Sequence, residues 1–216
     1  MNYVKKFLIG NFGLFLCAVG IYFLIQANIG LAPWDALAIG VSMKTGMLYG
    51  DAVLIISVAV LVIDVIVGEK IGIISILNAV IIGKIVDVFN HFDILPMQEN
   101  FFMGLLVMLI GQVVLSFGCY YYIKPGLGCG PRDSLMVALG KKIDHFPIGV
   151  IKGILETSVM IIGWLMGAKI GIGTVLCMFG MSVIMQFVFD IMKFDVKAVK
   201  HESVFQTCKY VLNKGE

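Results

Sequence analysis

Long apolar stretches, separated by short clusters of glycine, proline and charged residues, run along almost the whole chain. A helix of about 20 apolar residues crosses the ~30 Å hydrocarbon core of a bilayer and satisfies its own backbone polar groups. The pattern predicts an all-α polytopic membrane protein with six transmembrane helices, at about residues 6–27, 50–67, 71–90, 101–123, 148–166 and 171–192. Two shorter stretches, 33–45 and 131–142, keep only about ten apolar positions between charged residues, which predicts re-entrant half-helices or interfacial helices.

The same pattern occurs twice. Gly-Leu-Ala-Pro-Trp-Asp at residues 30–35 returns 98 positions later as Gly-Cys-Gly-Pro-Arg-Asp at residues 128–133. Lys-Ile-Gly-Ile at residues 70–73 returns unchanged at residues 169–172, with one residue inserted between the two matches. A fixed internal period indicates a duplicated architecture. We expect a first membrane repeat, a second membrane repeat and a cytoplasmic amphipathic tail over residues 1–97, 98–193 and 194–216.

Each repeat holds three predicted spans, and this odd number means that the second copy enters the membrane upside down relative to the first. Inverted repeats recur in secondary transporters, whose substrate sites lie between the halves near the bilayer midplane. The sequence therefore predicts two inverted three-helix repeats, each with a half-helix or interfacial helix after its first span.

Lysine and arginine are distributed unevenly between the two sides of the predicted membrane. Cytoplasmic flanks of membrane proteins are enriched in these residues. With the N-terminus inside, the outside segments hold only Lys44 and Lys169, and the cytoplasmic segments hold Lys5, Lys6, Lys70, Lys124, Arg132, Lys141, Lys142, Lys193, Lys197, Lys200, Lys209 and Lys214. This asymmetry predicts that both termini face the cytoplasm.

Composition supports a membrane protein and argues against several other classes. Hydrophobic residues make up 60% and charged residues 14% of the chain, and the mean hydropathy is +1.00. The net charge of +2 gives no sign of nucleic-acid binding, and the five cysteines lack the spacing of a metal site or a disulfide framework. We expect no metal and no cofactor. The chain lacks the usual motifs of hydrolases and nucleotide-binding enzymes, so we expect no enzyme, although carboxylates within the spans leave a membrane-embedded enzyme open.

The duplicated motif has a local explanation. Pro33 and Pro131 suit the first position of a helix, where no backbone N–H is needed. Asp35 and Asp133 then lie in the first turn, where a carboxylate compensates the positive end of the helix dipole. In this interpretation each motif is a well-made helix start after a chain reversal.

The motif also has a functional interpretation, in which both half-helix starts lie inside the protein. Broken helices at membrane depth are tolerated where they are buried or line a cavity, and transporters bind substrates and ions at their ends. An Asp in each first turn favours a cation, a proton or a neutral ligand over an anion. The pathway candidates from the two motifs are Pro33, Trp34, Asp35, Pro131, Arg132 and Asp133.

Ionisable residues within the predicted spans form a second group of candidates, because charges at membrane depth are costly. Lys152 and Glu156 are four positions apart on one helical face, which permits an internal ion pair, and we add them to the pathway as a coupling pair. Secondary candidates in the third span are Asn78, Lys84 and Asp87. The alternative for these charges is structural, as ion pairs between helices or as lysines that extend to the interface.

The segments at residues 30–35 and 130–133, Gly-Leu-Ala-Pro-Trp-Asp and Gly-Pro-Arg-Asp, resemble the YczE/YyaS/YitT-type family of bacterial integral membrane proteins. The resemblance covers most of the chain, through about residue 193. It implies a bacterial inner-membrane protein with several spans, and it transfers no substrate and no catalytic residue.

We therefore expect a transporter or channel for a small solute or ion, embedded in the lipid bilayer, with its pathway at the interface of the inverted repeats. The alternative is a non-transporting accessory or scaffold protein for a biosynthetic enzyme. A polar, hydrated cavity that reaches both Asp35 and Asp133 favours transport, whereas a dry, packed core favours a scaffold. A homodimer stays open, because one chain has only six spans to surround a pathway.

Overall fold

The computed structural model describes residues 2–143, 148–199 and 201–207, and within these ranges the chain is all-helical, without β-strands. Eight α-helices follow one another: α1 (Tyr3–Gln26), α2 (Pro33–Thr45), α3 (Tyr49–Val67), α4 (Ile73–His91), α5 (Phe101–Ile123), α6 (Pro131–Lys142), α7 (Ile148–Leu165) and α8 (Ile172–Ile191). Each of them lies close to a range predicted from the apolar pattern.

Five of these helices, α1, α3, α4, α5 and α8, are long and apolar enough to cross a membrane. The sixth predicted span is α7, an 18-residue helix that carries Lys152 and Glu156, and its crossing stays a prediction. Large apolar side chains on these helices are exposed, among them Ile66, Phe102 and Phe179. So much exposed apolar surface fits a lipid environment and not water.

Glycines allow α1 and α5 to cross at close range. A Cβ atom at Gly13 would lie 2.8 Å from the carbonyl oxygen of Gly118, and one at Gly20 would lie 2.8 Å from that of Gly111. A larger side chain at these positions would meet backbone atoms of the other helix. In the sequence repeat Gly13 matches Gly111, and Gly20 matches Gly118. If each glycine is replaced by its counterpart in the repeat, one of the two contacts becomes the other.

The loop after the first helix of each copy is hydrogen-bonded to the last helix of the other copy. The N–H of Gly173 donates to the carbonyl oxygen of Ile29 at 2.9 Å, and the N–H of Ile74 donates to that of Leu127 at 3.1 Å. The two bonds are equivalent in the repeat, because Ile29 matches Leu127 and Gly173 matches Ile74. They hold the loop before α2 against α8 and the loop before α6 against α4.

Most of the helix packing is also matched between the two copies. α1 packs on α4 as α5 packs on α8, and α2 packs on α7 as α3 packs on α6. Two contacts of α4, with α3 and with α6, have no counterpart of similar extent at α8 within the described ranges. The second copy is therefore the more open of the two.

The segment after α8 returns to the start of the chain. The N–H of Glu202 donates to the carbonyl oxygen of Gly126 at 2.8 Å. Its carboxylate accepts a hydrogen bond from the hydroxyl of Tyr3 and lies 3.2 Å from Nζ of Lys6. The bond from Tyr3, together with the contact to Lys6, lowers the pKa of Glu202 despite partial burial. This segment holds a 3₁₀ helix at Val196–Ala198 and a helical turn at 204–207, and the rest of the predicted amphipathic tail, 208–216, lies outside the described residues.

We expect Gly13→Ala to destabilise the fold by about 1–3 kcal/mol, because its methyl group would be pressed against the backbone of α5. Gly153→Ala is the matched control, since a Cβ atom there meets nothing within 4 Å. In that control, alanine is the better helix former by about 0.5–1 kcal/mol. Thermal unfolding in detergent compares the two variants, and equal transition temperatures would contradict the close crossing.

Candidate functional site

A cavity of about 220 Å³ lies between the two copies, and all eight helices contribute to its wall. One water molecule needs about 10–15 Å³ of such space, so the cavity has room for several waters or for a small solute. Both motif aspartates, Asp35 and Asp133, lie on the wall. The site is therefore built around the starts of the short helices α2 and α6.

Each of the short helices α2 and α6 follows a chain reversal at a glycine. Gly30 and Gly128 have φ angles of 137° and 124°, which residues with a side chain rarely adopt. Pro33 and Pro131 then take the first helical position, as predicted. Pro131 lines the cavity, whereas Pro33 is buried away from it.

Asp35 is the buried carboxylate of the site, with 2% of its surface exposed. Its Oδ1 accepts a hydrogen bond from the hydroxyl of Tyr49 at 3.0 Å and lies 3.7 Å from Nη1 of Arg132. The guanidinium of Arg132 also lies over the ring of Trp34, 5.3 Å from the centroid. One side chain of the second motif thus contacts two residues of the first, and Arg132 is the sequence counterpart of Trp34.

Asp133 has a different environment. Its Oδ2 accepts a hydrogen bond from the hydroxyl of Tyr122 at 3.0 Å, and its side chain is exposed on the cavity wall. Among the side chains that the structure describes, no lysine or arginine forms an ion pair with it. The two carboxylates, which have matching positions in the motif, therefore differ in charge compensation.

Lys152 and Glu156 bring a second ion pair to the cavity wall from α7, with Nζ and Oε1 3.7 Å apart. The ion pair itself confirms the spacing argument. Its role in coupling stays a prediction.

The secondary candidates separate into two groups. Asn78 lines the cavity. Lys84 and Asp87 do not: Lys84 pairs with Asp51, and Oδ1 of Asp87 accepts a hydrogen bond from the N–H of Gly50 at 2.8 Å. Both side chains therefore link α4 to α3 away from the cavity.

The predicted site lacked four polar residues of the wall, Tyr49, Ser57, Gln112 and Tyr122. Nε2 of Gln112 donates to a backbone carbonyl of α8 at 3.3 Å. The two tyrosines could have been identified from the sequence, because a phenol buried among apolar residues needs a hydrogen-bond partner. Each motif aspartate is such a partner.

The chemistry of the wall is that of charge and hydrogen bonding. Among the described residues, no group of three or more His, Cys, Asp and Glu side chains could hold a metal ion. Carboxylates, a guanidinium, an ammonium, two phenols and two amides surround the space instead. These groups suit reversible binding of a polar or charged small molecule.

The effects of substitutions at Asp35 and Arg132 on the free energy of unfolding should be coupled, because removing the arginine leaves a buried carboxylate without its cation. We expect a double-mutant cycle of Asp35→Asn and Arg132→Gln to give a coupling energy of about 1–3 kcal/mol in detergent unfolding. The more exposed pair Asp51 and Lys84, changed to Asn and Gln, is the matched control and should give less than about 1 kcal/mol. Equal coupling in both cycles would argue against a buried ion pair at the motif.

Comparison with known proteins agrees with the sequence resemblance. The profile of DUF6198, a family of unknown function, matches residues 4–190. An uncharacterized protein of Haemophilus influenzae is 30% identical over 180 residues, which cover 83% of this chain and 81% of that protein. The uncharacterized membrane protein YczE of Bacillus subtilis is 31% identical over 179 residues, which cover 81% of each chain. The uncharacterized protein YyaS of the same organism is 26% identical over 180 residues, which cover 82% of this chain and 89% of that protein. No solved structure matches the chain. The chain therefore belongs to the DUF6198 family, with relatives that include YczE and YyaS, and it is an integral membrane protein.

Proposed function

We propose that the protein is a transporter or channel for a small solute or ion, with its pathway through the central cavity. The observation that carries the proposal is the convergence of both half-helix starts, with Asp35 and Asp133, on the wall of one polar cavity. Irregular backbone and helix ends at membrane depth are tolerated where they line such a cavity, and transporters use them to bind substrates.

The proposal includes six spans arranged as two inverted repeats. Three sets of contacts occur in equivalent form in both copies and support this arrangement. They are the glycine contacts of α1 with α5, the loop hydrogen bonds and most of the helix packing. The contact of Trp34 with its own counterpart Arg132 supports an axis between the two half-helix starts. α7 would be the sixth span, with the charged pair facing the cavity, as expected for ionisable residues at membrane depth.

We also propose that the protein lies in a bacterial inner membrane with both termini in the cytoplasm. The distribution of lysine and arginine supports this orientation. The contact of Glu202 with Tyr3 and Lys6 is in accord with it, because it brings the segment after α8 to the start of α1.

Transport is favoured over the two alternatives. A scaffold needs a packed interior and an outer binding face, and it has no use for paired charges around an internal space. A membrane-embedded enzyme would need an activated nucleophile or a metal-bound water. The carboxylates of this wall are engaged in ion pairs and hydrogen bonds, and the thiols of Cys17, Cys119 and Cys177 are buried. We therefore propose no catalytic step.

Flux can be measured without knowing the substrate, by osmotic re-swelling of proteoliposomes. We expect at least one solute among glycerol, alanine, ethylammonium and potassium to re-swell the vesicles faster than protein-free liposomes. Asp133→Asn should lower that rate by about tenfold or more, because a charge-assisted interaction contributes about 1.5–3 kcal/mol. Lys84→Gln, away from the cavity, is the control. No acceleration by any of the four classes would overturn the proposal.

The inverted arrangement has a matched test at Lys44 and Lys142, which are counterparts in the repeat and are both exposed. In a cysteine-free background, a membrane-impermeant maleimide should label Lys44→Cys in intact cells and label Lys142→Cys only after permeabilisation. Two parallel copies would place both positions on one side, so equal labelling of the two variants would exclude inverted repeats.

A further inference from the structure

We propose that Asp64, in the last turn of α3, is a proton-binding site, and that release of its proton frees α6 and couples the solute pathway to protons. This inference deepens the proposed function and rests on it, since it names the coupling ion of the same pathway. The binding of the proton itself can be tested whether or not flux occurs.

The first argument is a contrast between two fully buried carboxyl groups. Asp35, with 2% of its surface exposed, accepts a hydrogen bond from Tyr49 and lies beside Arg132. Asp64 has no exposed surface, and neither of its side-chain oxygens has a hydrogen-bond partner. An ionised carboxylate without partners is so costly to bury that the group takes up a proton instead. The burial of Asp64 therefore indicates a neutral acid in this conformation.

The groups closest to Asp64 also favour the neutral acid. The titratable groups that face it are Glu69, in the turn after α3, and the thiol of Cys129, in the loop before α6. Neither group is a cation. The last turn of α3 adds the partial negative charge of a helix C-terminus. The positive end of α6 carries a carboxylate of its own, Asp133.

The helices that pack on α3 bring no ion-pair partner to this end of it. Asp35, Lys84 and Asp87 of α2 and α4 contact the start of α3, about 20 Å from Asp64 along the helix axis. At the end of α6, Lys142 is exposed. Among the side chains that the structure describes, no lysine or arginine forms an ion pair with Asp64.

The second argument comes from the repeat, which places Asp64 between α3 and α6. Its counterpart is Gly163 of α7, where a Cβ atom would lie 2.5 Å from the carbonyl carbon of Ala36 in α2. Ala36 matches Ser134 of α6, and α6 packs on α3 as α2 packs on α7. An acid thus occupies a helix contact that is made by a glycine in the other copy.

An ionised Asp64 is incompatible with this contact. The hydroxyl of Ser134 is engaged with Sγ of Cys129, 3.0 Å away, and does not compensate a charge. Water reaches the carboxylate only when α6 moves away from α3, so loss of the proton favours that movement. The start of α6, with Asp133, is part of the cavity wall. Protonation of Asp64 therefore holds this wall in place, and release of the proton opens it.

The proton is the cation that fits this position. Metal cations bind to proteins through several oxygen ligands. The side-chain oxygens of Asp64 are inaccessible to water, and Asp64 is not part of the cavity wall. A metal ion in the cavity therefore does not reach it, whereas a proton needs a single oxygen and no further space.

Infrared spectroscopy of the protein in liposomes tests the proton directly, because a protonated carboxyl group has a C=O stretch that a carboxylate lacks. We expect Asp64→Asn to remove intensity from this band at neutral pH, since Asn keeps the shape of the neutral acid without the acid group. Asp51→Asn is the matched control, because Asp51 is paired with Lys84 and partly exposed, and it should leave the band unchanged. An unchanged band in Asp64→Asn would overturn the proposal.

Hydrogen exchange of the α6 amides, measured by mass spectrometry on the full-length protein, tests the link to α6. At about pH 9 we expect exchange about tenfold slower in Asp64→Asn than in the parent chain, because the Asn side chain stays neutral. At about pH 5 the two should exchange equally, and Asp51→Asn should follow the parent at both values. Equal exchange in the parent and Asp64→Asn at about pH 9 would overturn the release of α6.

Coupling is measured in proteoliposomes with a solute that re-swells them. An imposed pH gradient should concentrate this solute in the parent about tenfold per pH unit if one proton moves with each molecule, and should have no such effect in Asp64→Asn.

The two proposals fail in different ways. A protonated Asp64 with pH-dependent exchange in α6, without flux of any solute, keeps the proton site and removes the transporter. Flux that the pH gradient leaves unchanged keeps the transporter and removes the coupling proton.

Discussion

The close crossing of α1 and α5 is the constraint on which the other elements depend. Four glycines, Gly13, Gly20, Gly111 and Gly118, bring the backbones of the two helices into contact. Each of these helices leads through a short loop into a short helix, α2 or α6, so the crossing fixes where both short helices start. α4 and α8 then pack on the outside of the crossed pair and hold the loops by backbone hydrogen bonds. The cavity is the space that this arrangement leaves around the two starts.

Charges in such a space are costly unless they are compensated, and the two copies solve this differently. The first copy buries its carboxylate against a cation that comes from the second. The second copy keeps its carboxylate exposed on the cavity wall, bonded to a phenol. Two chemically similar helix starts thus become one closed site and one open site. The open one lies in the copy whose last two helices, α7 and α8, lack the packing that α3 and α4 have.

The helices and the repeat could be predicted from the sequence, because both depend on local properties: apolar run length, proline at a helix start, glycine at a reversal and a fixed spacing of matches. Partners within one helix could be predicted, as Lys152 and Glu156 show, but partners on different helices could not. Lys84 and Asp87 were pathway candidates, yet Lys84 pairs with Asp51 of another helix. Arg132 looked like a consequence of the positive cytoplasmic side, and in the structure it reaches Asp35. Contacts of this kind depend on how helices pack, which the local pattern of one sequence does not specify.

The contact of Trp34 with Arg132 also determines which residues the two motifs can carry. These two residues have matching positions in the sequence repeat, and the guanidinium of one lies over the ring of the other. Arginine at both positions would bring two like charges together, and tryptophan at both would leave Asp35 without its cation. The contact therefore requires the two motifs to differ at this position, so neither half of the chain can replace the other.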